Sequence, residues 1–122
     1  MRLTALVPLL RTADLKGSVA FYTAVLGFTL DAFEEEWGWA SLRRDGIEVM
    51  LAAPNAHEPF ERPSFTGSLY FRCDDVDAAW QILEDRAEVV YPLESFDYGM
   101  REFAVRDNNG YLLQFGQPVA GG

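Results

Sequence analysis

The sequence predicts an α+β fold in which two βαβββ modules pair into one curved, mixed sheet. The same order of strand-like and helix-like segments occurs twice, and the last two strands of each copy are joined by a turn containing a glycine, Gly46 or Gly110. A helix-capping aspartate recurs at the matching positions Asp14 and Asp75. Neither copy alone can bury both faces of its sheet. We therefore expect a single domain over 1–122, with helices on the outer face and a cup on the inner face.

The first module covers 4–53. An apolar run at 4–11 is short enough for a buried strand, and Asp14 is a typical N-cap for the helix after it. Gly27 follows the last turn of that helix, where a C-cap glycine is common. The residues that form one apolar face of the helix are Leu15, Val19, Tyr22 and Leu26. Three strands are predicted next, at 28–33, 37–42 and 47–53.

A proline-rich segment separates the two modules. Residues 54–66 include three prolines and the only histidine, His57, and they show neither helical nor strand periodicity. This segment is therefore predicted to be a linker. Because His57 lies outside the predicted strands, we do not expect it to point into the cup.

The second module covers 67–117 and repeats the order of the first. A strand at 68–73 leads to a helix capped by Asp74 or Asp75. Trp80 lies on the apolar face of this helix and is expected in the core. Three further strands are predicted: 88–93, 100–106 and 111–115.

The composition excludes several classes of protein. The chain has 122 residues, 49% of them hydrophobic, which is enough apolar surface for a packed core. No apolar stretch approaches the length of a membrane span, and no export signal is recognisable, so we expect a cytoplasmic location. A single cysteine excludes an internal disulfide. The net charge of −9 disfavours nucleic acids and anionic membranes as partners and favours a cationic small molecule.

Three stretches contain motifs that are recognisable together. The first is LRTADLKGSVAFY at 10–22 with VLGF at 25–28, the second is FRCDDVDAAW at 71–80, and the third is the final hairpin at 101–113. In this order they resemble the vicinal-oxygen-chelate superfamily, which groups glyoxalase I, bleomycin-resistance proteins and extradiol dioxygenases. The resemblance covers nearly the whole chain and implies the paired βαβββ fold.

The resemblance also implies where a metal would bind. Enzymes of the superfamily hold a divalent metal with His and Glu side chains from four strands of the cup. Counting from the capping aspartates and hairpin glycines places Val7, Met50, Ser68 and Gln114 at those positions. None of them is a carboxylate or an imidazole, the groups that divalent metal sites use. The chain is therefore most similar to the metal-free, bleomycin-resistance-like members, and we expect no cofactor, no metal and no catalytic residue.

The resemblance to bleomycin-resistance proteins implies sequestration of a small aromatic or cationic ligand in a cup at a homodimer interface. Two alternatives stay open: a metal-dependent glyoxalase or dioxygenase with its ligands elsewhere, and a domain that binds only a partner protein. Metal-independent catalysis also stays open, with Glu48 as either a general acid or base or a carboxylate on the rim.

The predicted binding site combines cup-facing strand residues with aromatic residues at the mouth. Because side chains alternate along a strand, the implied metal positions and their neighbours two residues away face the cup. Leu69, Phe71 and Cys73 are instead expected beneath the helices. Aromatic rings at the mouth can stack on a flat ligand or face a cation. The predicted ligand-binding residues are Phe33, Trp37, Trp39, Glu48, Met50, Ser68, Tyr70, Tyr98 and Gln114.

Overall fold

In a computed structural model of the chain, residues 1–55 and 59–119 are described, and His57 lies outside them. The chain divides into two compact units, Met1–Pro63 and Ser64–Gly122. Each unit has the predicted βαβββ order and forms a four-stranded mixed sheet, which confirms the α+β class and the two modules. The pairing of the modules into one curved sheet stays a prediction.

The first unit contains β1 (Leu9–Arg11), α1 (Leu15–Ala20), β2 (Thr29–Glu34), β3 (Trp39–Arg44) and β4 (Ile47–Ala52). A π-helical turn, Phe21–Val25, extends α1, and a 3-10 turn, Glu35–Trp37, lies between β2 and β3. β1 is shorter than predicted and begins at Leu9. β3 has the predicted length but lies two residues further along the chain, because it begins after Gly38, whose left-handed conformation (φ 63°) ends the 3-10 turn. The sheet order is β1-β4-β3-β2, with β1 parallel to β4.

The second unit contains β5 (Leu69–Arg72), α2 (Val76–Leu83), β6 (Glu88–Ser95), β7 (Met100–Arg106) and β8 (Leu112–Pro118). Its sheet order is β5-β8-β7-β6, with β5 parallel to β8. This arrangement repeats that of the first unit strand for strand. Equivalent positions in the two sheets can therefore be compared directly.

Side-chain caps explain where both helices begin. The carboxylate of Asp14 accepts a hydrogen bond from the backbone N–H of Gly17 at 3.0 Å, and that of Asp75 accepts one from Ala78 at 3.1 Å. These bonds satisfy N–H groups that have no partner inside the first turn of a helix. The structure confirms both predicted capping positions and selects Asp75 rather than Asp74 for the second helix.

In the first unit, the core lies between the sheet and α1, which contacts β3 and β4. Leu42 and Leu51 are fully buried on this face, as is Tyr22 in the π-helical turn. Removing these apolar surfaces from water stabilises the unit. Within 1–55 and 59–119, no helix is both long and apolar enough to cross a membrane.

In the second unit, aromatic rings fill the sheet face beneath α2. The ring of Phe103 stacks on Phe115 with 5.1 Å between centroids and meets Trp80 of α2 edge-on at the same separation. Phe71 also stacks on Phe115. Phe71 and Trp80 therefore pack in this aromatic layer as predicted, although both are half-buried, as is Cys73. Several polar side chains lie on the opposite face of this sheet.

Candidate functional site

Strand register gives the two modules equivalent sites. In the first sheet Leu9 of β1 pairs with Met50 of β4, and in the second Tyr70 of β5 pairs with Gln114 of β8. Residues paired across neighbouring strands project from the same face of a sheet. Met50 and Gln114 therefore occupy the same place in their units, as the counting along the sequence predicts.

The second sheet carries a polar cluster on the face opposite α2, formed by Ser68, Tyr70, Tyr91, Glu102 and Gln114. The Ser68 hydroxyl donates to Oε1 of Gln114 at 2.5 Å, and Nε2 of Gln114 donates to the Tyr91 hydroxyl at 2.8 Å. These two bonds connect the start of β5 with β8 and β6. The structure thus brings together two predicted site residues, Ser68 and Gln114, in a neutral hydrogen-bond network.

Glu102 of β7 belongs to this polar cluster and is only 2% exposed. The Tyr70 hydroxyl hydrogen-bonds to its carboxyl group, whereas its Oε2 atom has no hydrogen-bond partner among the described residues. Glu102 is not among the site residues predicted from the sequence. One signal was present, because strand alternation puts it on the face opposite Phe103, directly before the apolar run 103–105.

A glycine allows Tyr70 to reach Glu102. In the strand register, Gly116 of β8 lies between Arg72 of β5 and Glu102 of β7. A Cβ atom at residue 116 would overlap the Tyr70 hydroxyl oxygen. Because glycine has no side chain, the tyrosine side chain can cross β8 and meet the carboxyl group on the next strand.

The environment of the polar cluster favours protonated tyrosines. Burial, as the largest cause, together with the hydrogen bond to Glu102 and the charge of Glu102, raises the pKa of Tyr70 from its ordinary 10.0 to about 12. Burial also raises the pKa of Tyr91, an effect that the Gln114 hydrogen bond opposes and the Glu102 charge reinforces. Both hydroxyls therefore keep their protons at neutral pH and remain available as donors.

The raised pKa of Tyr70 predicts a loss of stability in alkali. The unfolded chain releases this proton near pH 10.0 and the folded chain near pH 12, so the stabilisation is complete below pH 10 and is lost as pH rises to 12. We expect the free energy of unfolding, measured by urea denaturation, to decline less steeply over this range in Tyr70→Phe. Tyr98→Phe, which removes a more exposed hydroxyl, is the control. If the free energy of unfolding declined equally steeply with pH in the wild-type chain and in Tyr70→Phe, the prediction would be contradicted.

Aromatic rings continue outward from the polar cluster. The Tyr91 ring meets Phe96 edge-on at 5.7 Å, and Phe96 stacks on Tyr98 at 5.4 Å with only 6° between their planes. Tyr98, a predicted site residue, is 66% exposed. We call Tyr91, Phe96 and Tyr98 the aromatic wall. Exposed stacked rings of this kind offer a surface to flat or cationic groups.

In the first sheet, Glu48 is held by two neighbours. Its Oε2 accepts from the Ser41 hydroxyl and its Oε1 from Nη2 of Arg43, both at 2.8 Å. Arg43 also contacts Asp31 at 3.4 Å. With both oxygens engaged, Glu48 has the arrangement of a structural ion pair. Met50 lies on the same face, paired with Ser41.

The three predicted aromatic residues of the first unit lie in different places. Trp39 shares the face of Met50, because it lies two residues before Ser41 on β3. Phe33 pairs with the buried Ala40 and therefore lies on the face opposite Met50. Trp37, in the 3-10 turn, is 76% exposed. The structure thus places Phe33 apart from the face that carries Met50 and Trp39.

The family model for the Glyoxalase/Bleomycin resistance protein/Dioxygenase superfamily matches residues 4–115, nearly the whole chain. The chain belongs to this superfamily. No curated protein matches it in sequence. The superfamily assignment agrees with the two βαβββ modules and with the three motifs of the sequence.

Solved structures show the same superfamily fold. A glyoxalase/bleomycin resistance protein/dioxygenase from Nocardioides is 23% identical, with a TM-score of 0.82 over 100% of this chain and 87% of that one. TioX from Micromonospora sp. ML1 is 25% identical, with a TM-score of 0.77 over 95% of this chain and 99% of TioX. A protein of unknown function from Agrobacterium tumefaciens is 24% identical, with a TM-score of 0.73, and the match covers 98% and 95% of the two chains.

The positions that bind metal in enzymes of the superfamily do not suit a divalent ion in this chain. The side chain of Val7 has no donor atom, and the thioether of Met50 suits soft ions. Ser68 and Gln114 offer neutral oxygens, and the Ser68 hydroxyl donates a hydrogen bond to Oε1 of Gln114. Among the described residues, no three His, Cys, Asp or Glu side chains come close enough together to hold a metal. The side chains of Val7, Met50, Ser68 and Gln114 therefore do not fit a divalent metal ion as ligands.

Proposed function

We propose that this superfamily member sequesters a small aromatic or cationic molecule, as a metal-free binding protein of the bleomycin-resistance type. The observation that carries the proposal is the neutral network of Ser68, Gln114 and Tyr91, in which Ser68 and Gln114 occupy positions where superfamily enzymes have metal ligands. Such groups orient a ligand by hydrogen bonds and supply no strong Lewis acid.

The surroundings of that network support an aromatic ligand. The aromatic wall begins at Tyr91, which shares a hydrogen bond with Gln114, and ends at the exposed Tyr98. The parallel rings of Phe96 and Tyr98 present a flat apolar surface near polar atoms, a combination typical of small-molecule sites. The net charge of −9 adds a long-range attraction for cationic ligands.

The proposal includes a homodimer in which the cup lies at the interface between subunits. In the first sheet, Trp39 and Met50 would contribute the apolar part of this cup, with Glu48 beside them. The exposed Trp37 would lie at its mouth, where an aromatic side chain can cover a bound ligand.

Native mass spectrometry of gently purified protein tests this function. We expect a dimer without bound metal that carries additional small-molecule mass, and this extra mass should decrease in Trp39→Ala and Tyr98→Ala. Both side chains are at least partly exposed, so we expect the melting temperature to change by only a few degrees. Ile82→Ala, an exposed apolar position on α2, is the control. One metal ion per subunit would instead support a metal-dependent enzyme.

A further inference from the structure

The buried carboxyl group of Glu102 has an unused hydrogen-bonding atom. Its Oε2 has no partner among the described residues, although the residue is only 2% exposed. A buried acceptor without a donor costs folding free energy, and a buried charge without a counter-charge costs more. The unpartnered Oε2 atom therefore lowers the stability of the fold. A ligand that donated a hydrogen bond to this atom would remove that loss of stability.

The two arginines on the strand of Glu102 have other partners, whereas Arg72 of β5 lies on the same face as Glu102, across Gly116, and its charge opposes the rise that burial causes in the pKa of Tyr70. Arg101, the neighbour of Glu102 on β7, donates to Asp77 at 2.9 Å, and Arg106 donates to the carbonyl oxygen of Gly110 at 3.1 Å. Within the described part of the chain, no ion pair includes Glu102. Among the described residues, the carboxyl group of Glu102 has only the neutral hydroxyl of Tyr70 as a hydrogen-bond partner.

We propose that Oε2 of Glu102 accepts a hydrogen bond from a protonated nitrogen of the ligand, an inference that rests on the proposed function. This nitrogen belongs to an amine or amidine group attached to an aromatic ring. The ring of such a ligand would lie against the aromatic wall, whose first member, Tyr91, is within electrostatic range of Glu102. The ligand nitrogen would reach the carboxyl group beside Tyr70. That side chain is 40% exposed and crosses β8 over Gly116, so it can move without displacing the sheet backbone.

The chemistry of the polar cluster selects a cation over other ligand groups. An anion would be repelled by the carboxyl group, and a divalent metal would require more charged donors than the single one present. A neutral N–H would make the same hydrogen bond without balancing the charge. Hydrogen bonds between a buried carboxylate and a cationic nitrogen are the stronger class, and aromatic faces reinforce them.

A matched pair of probes tests this inference: 2-naphthamidine, which is cationic at neutral pH, and 2-naphthamide, which has nearly the same shape and no charge. Affinities are measured by isothermal titration calorimetry for the wild-type chain and for Glu102→Gln. We expect the wild-type chain to prefer the amidine, and Glu102→Gln to weaken amidine binding by about tenfold or more with little change for the amide.

Glu84→Gln is the matched control for this experiment. Glu84 is exposed at the end of α2, which covers the opposite face of the sheet, so the substitution makes the same change in net charge away from the polar cluster. We expect it to alter amidine binding by less than about twofold, as is usual for a screened surface charge. An equal loss of affinity in both variants would overturn the role of Glu102, because general attraction would explain the preference.

A measurement on the unaltered chain guards against loss of folding in Glu102→Gln. Backbone amide signals in NMR spectra should shift on adding the amidine, with the largest changes in β7 and β8 around Glu102 and Gly116. If both probes bind equally well and shift the same signals, the cation site is overturned while aromatic binding stands. If neither probe binds, the proposed function for aromatic ligands fails together with the inference.

Discussion

Replacing Phe103 by alanine is expected to lower the free energy of unfolding of the second unit by about 3–5 kcal/mol. Phe103 is fully buried, and its ring contacts both Phe115 and Trp80 at 5.1 Å between centroids. The substitution removes these contacts and leaves a cavity between the sheet and α2, which the surrounding residues can fill only in part. Because the adjacent residue is Glu102, the polar cluster should lose order as the core loosens.

Urea denaturation followed by circular dichroism measures this effect. Phe65→Ala makes the same chemical change at a residue that is mostly exposed, and we expect it to cost less than about 1 kcal/mol. A similar cost at both positions would show that the stacked rings of the second unit contribute no more than a surface phenylalanine.

Replacing Asp107 by alanine is the second substitution expected to have a large effect, with a loss of about 2–3 kcal/mol in the free energy of unfolding. Oδ1 of Asp107 accepts hydrogen bonds from the backbone N–H groups of Asn109, Gly110 and Tyr111, at 2.8, 3.0 and 2.9 Å. Alanine would leave these three donors without a side-chain acceptor in the turn that joins β7 to β8.

Asp107→Asn is the matched control, because asparagine retains an oxygen at the same position and loses only the charge. We expect it to keep more than half of the stability that alanine removes, as measured by the midpoint of thermal unfolding. If asparagine and alanine were equally destabilising, the charge of Asp107, rather than its hydrogen-bond geometry, would hold the turn.

The polar cluster shows which features of a site can be predicted from the sequence. Counting from the capping aspartate and the hairpin glycine predicted that Ser68 and Gln114 occupy related positions, and their side chains do meet at 2.5 Å. The count succeeds because capping and turn residues fix where each strand starts, and a strand advances by a constant distance per residue. Their role in ligand binding stays a prediction.

Phe33 lies on a face of its sheet that strand alternation alone does not predict. Between Leu30 and Ala32 the pairing of β2 with β3 is shifted by a bulge at Asp31. One extra residue reverses the face of every side chain after it, so Phe33 pairs with Ala40 on the core side. No residue type in that stretch indicates a bulge, because the irregularity depends on how β2 pairs with β3.

The sequence by itself determined the α+β class, the two βαβββ modules, their helix caps and their superfamily, because these follow from short-range spacing and local hydrogen bonds. Only the tertiary structure placed Glu102 in the polar cluster, with an oxygen that has no hydrogen-bond partner among the described residues. That arrangement needs three strands in register: β5 to supply Tyr70, β8 to supply the gap at Gly116, and β7 to supply the carboxyl group. Burial and partners of a side chain depend on residues distant in the chain, which spacing along one strand does not encode.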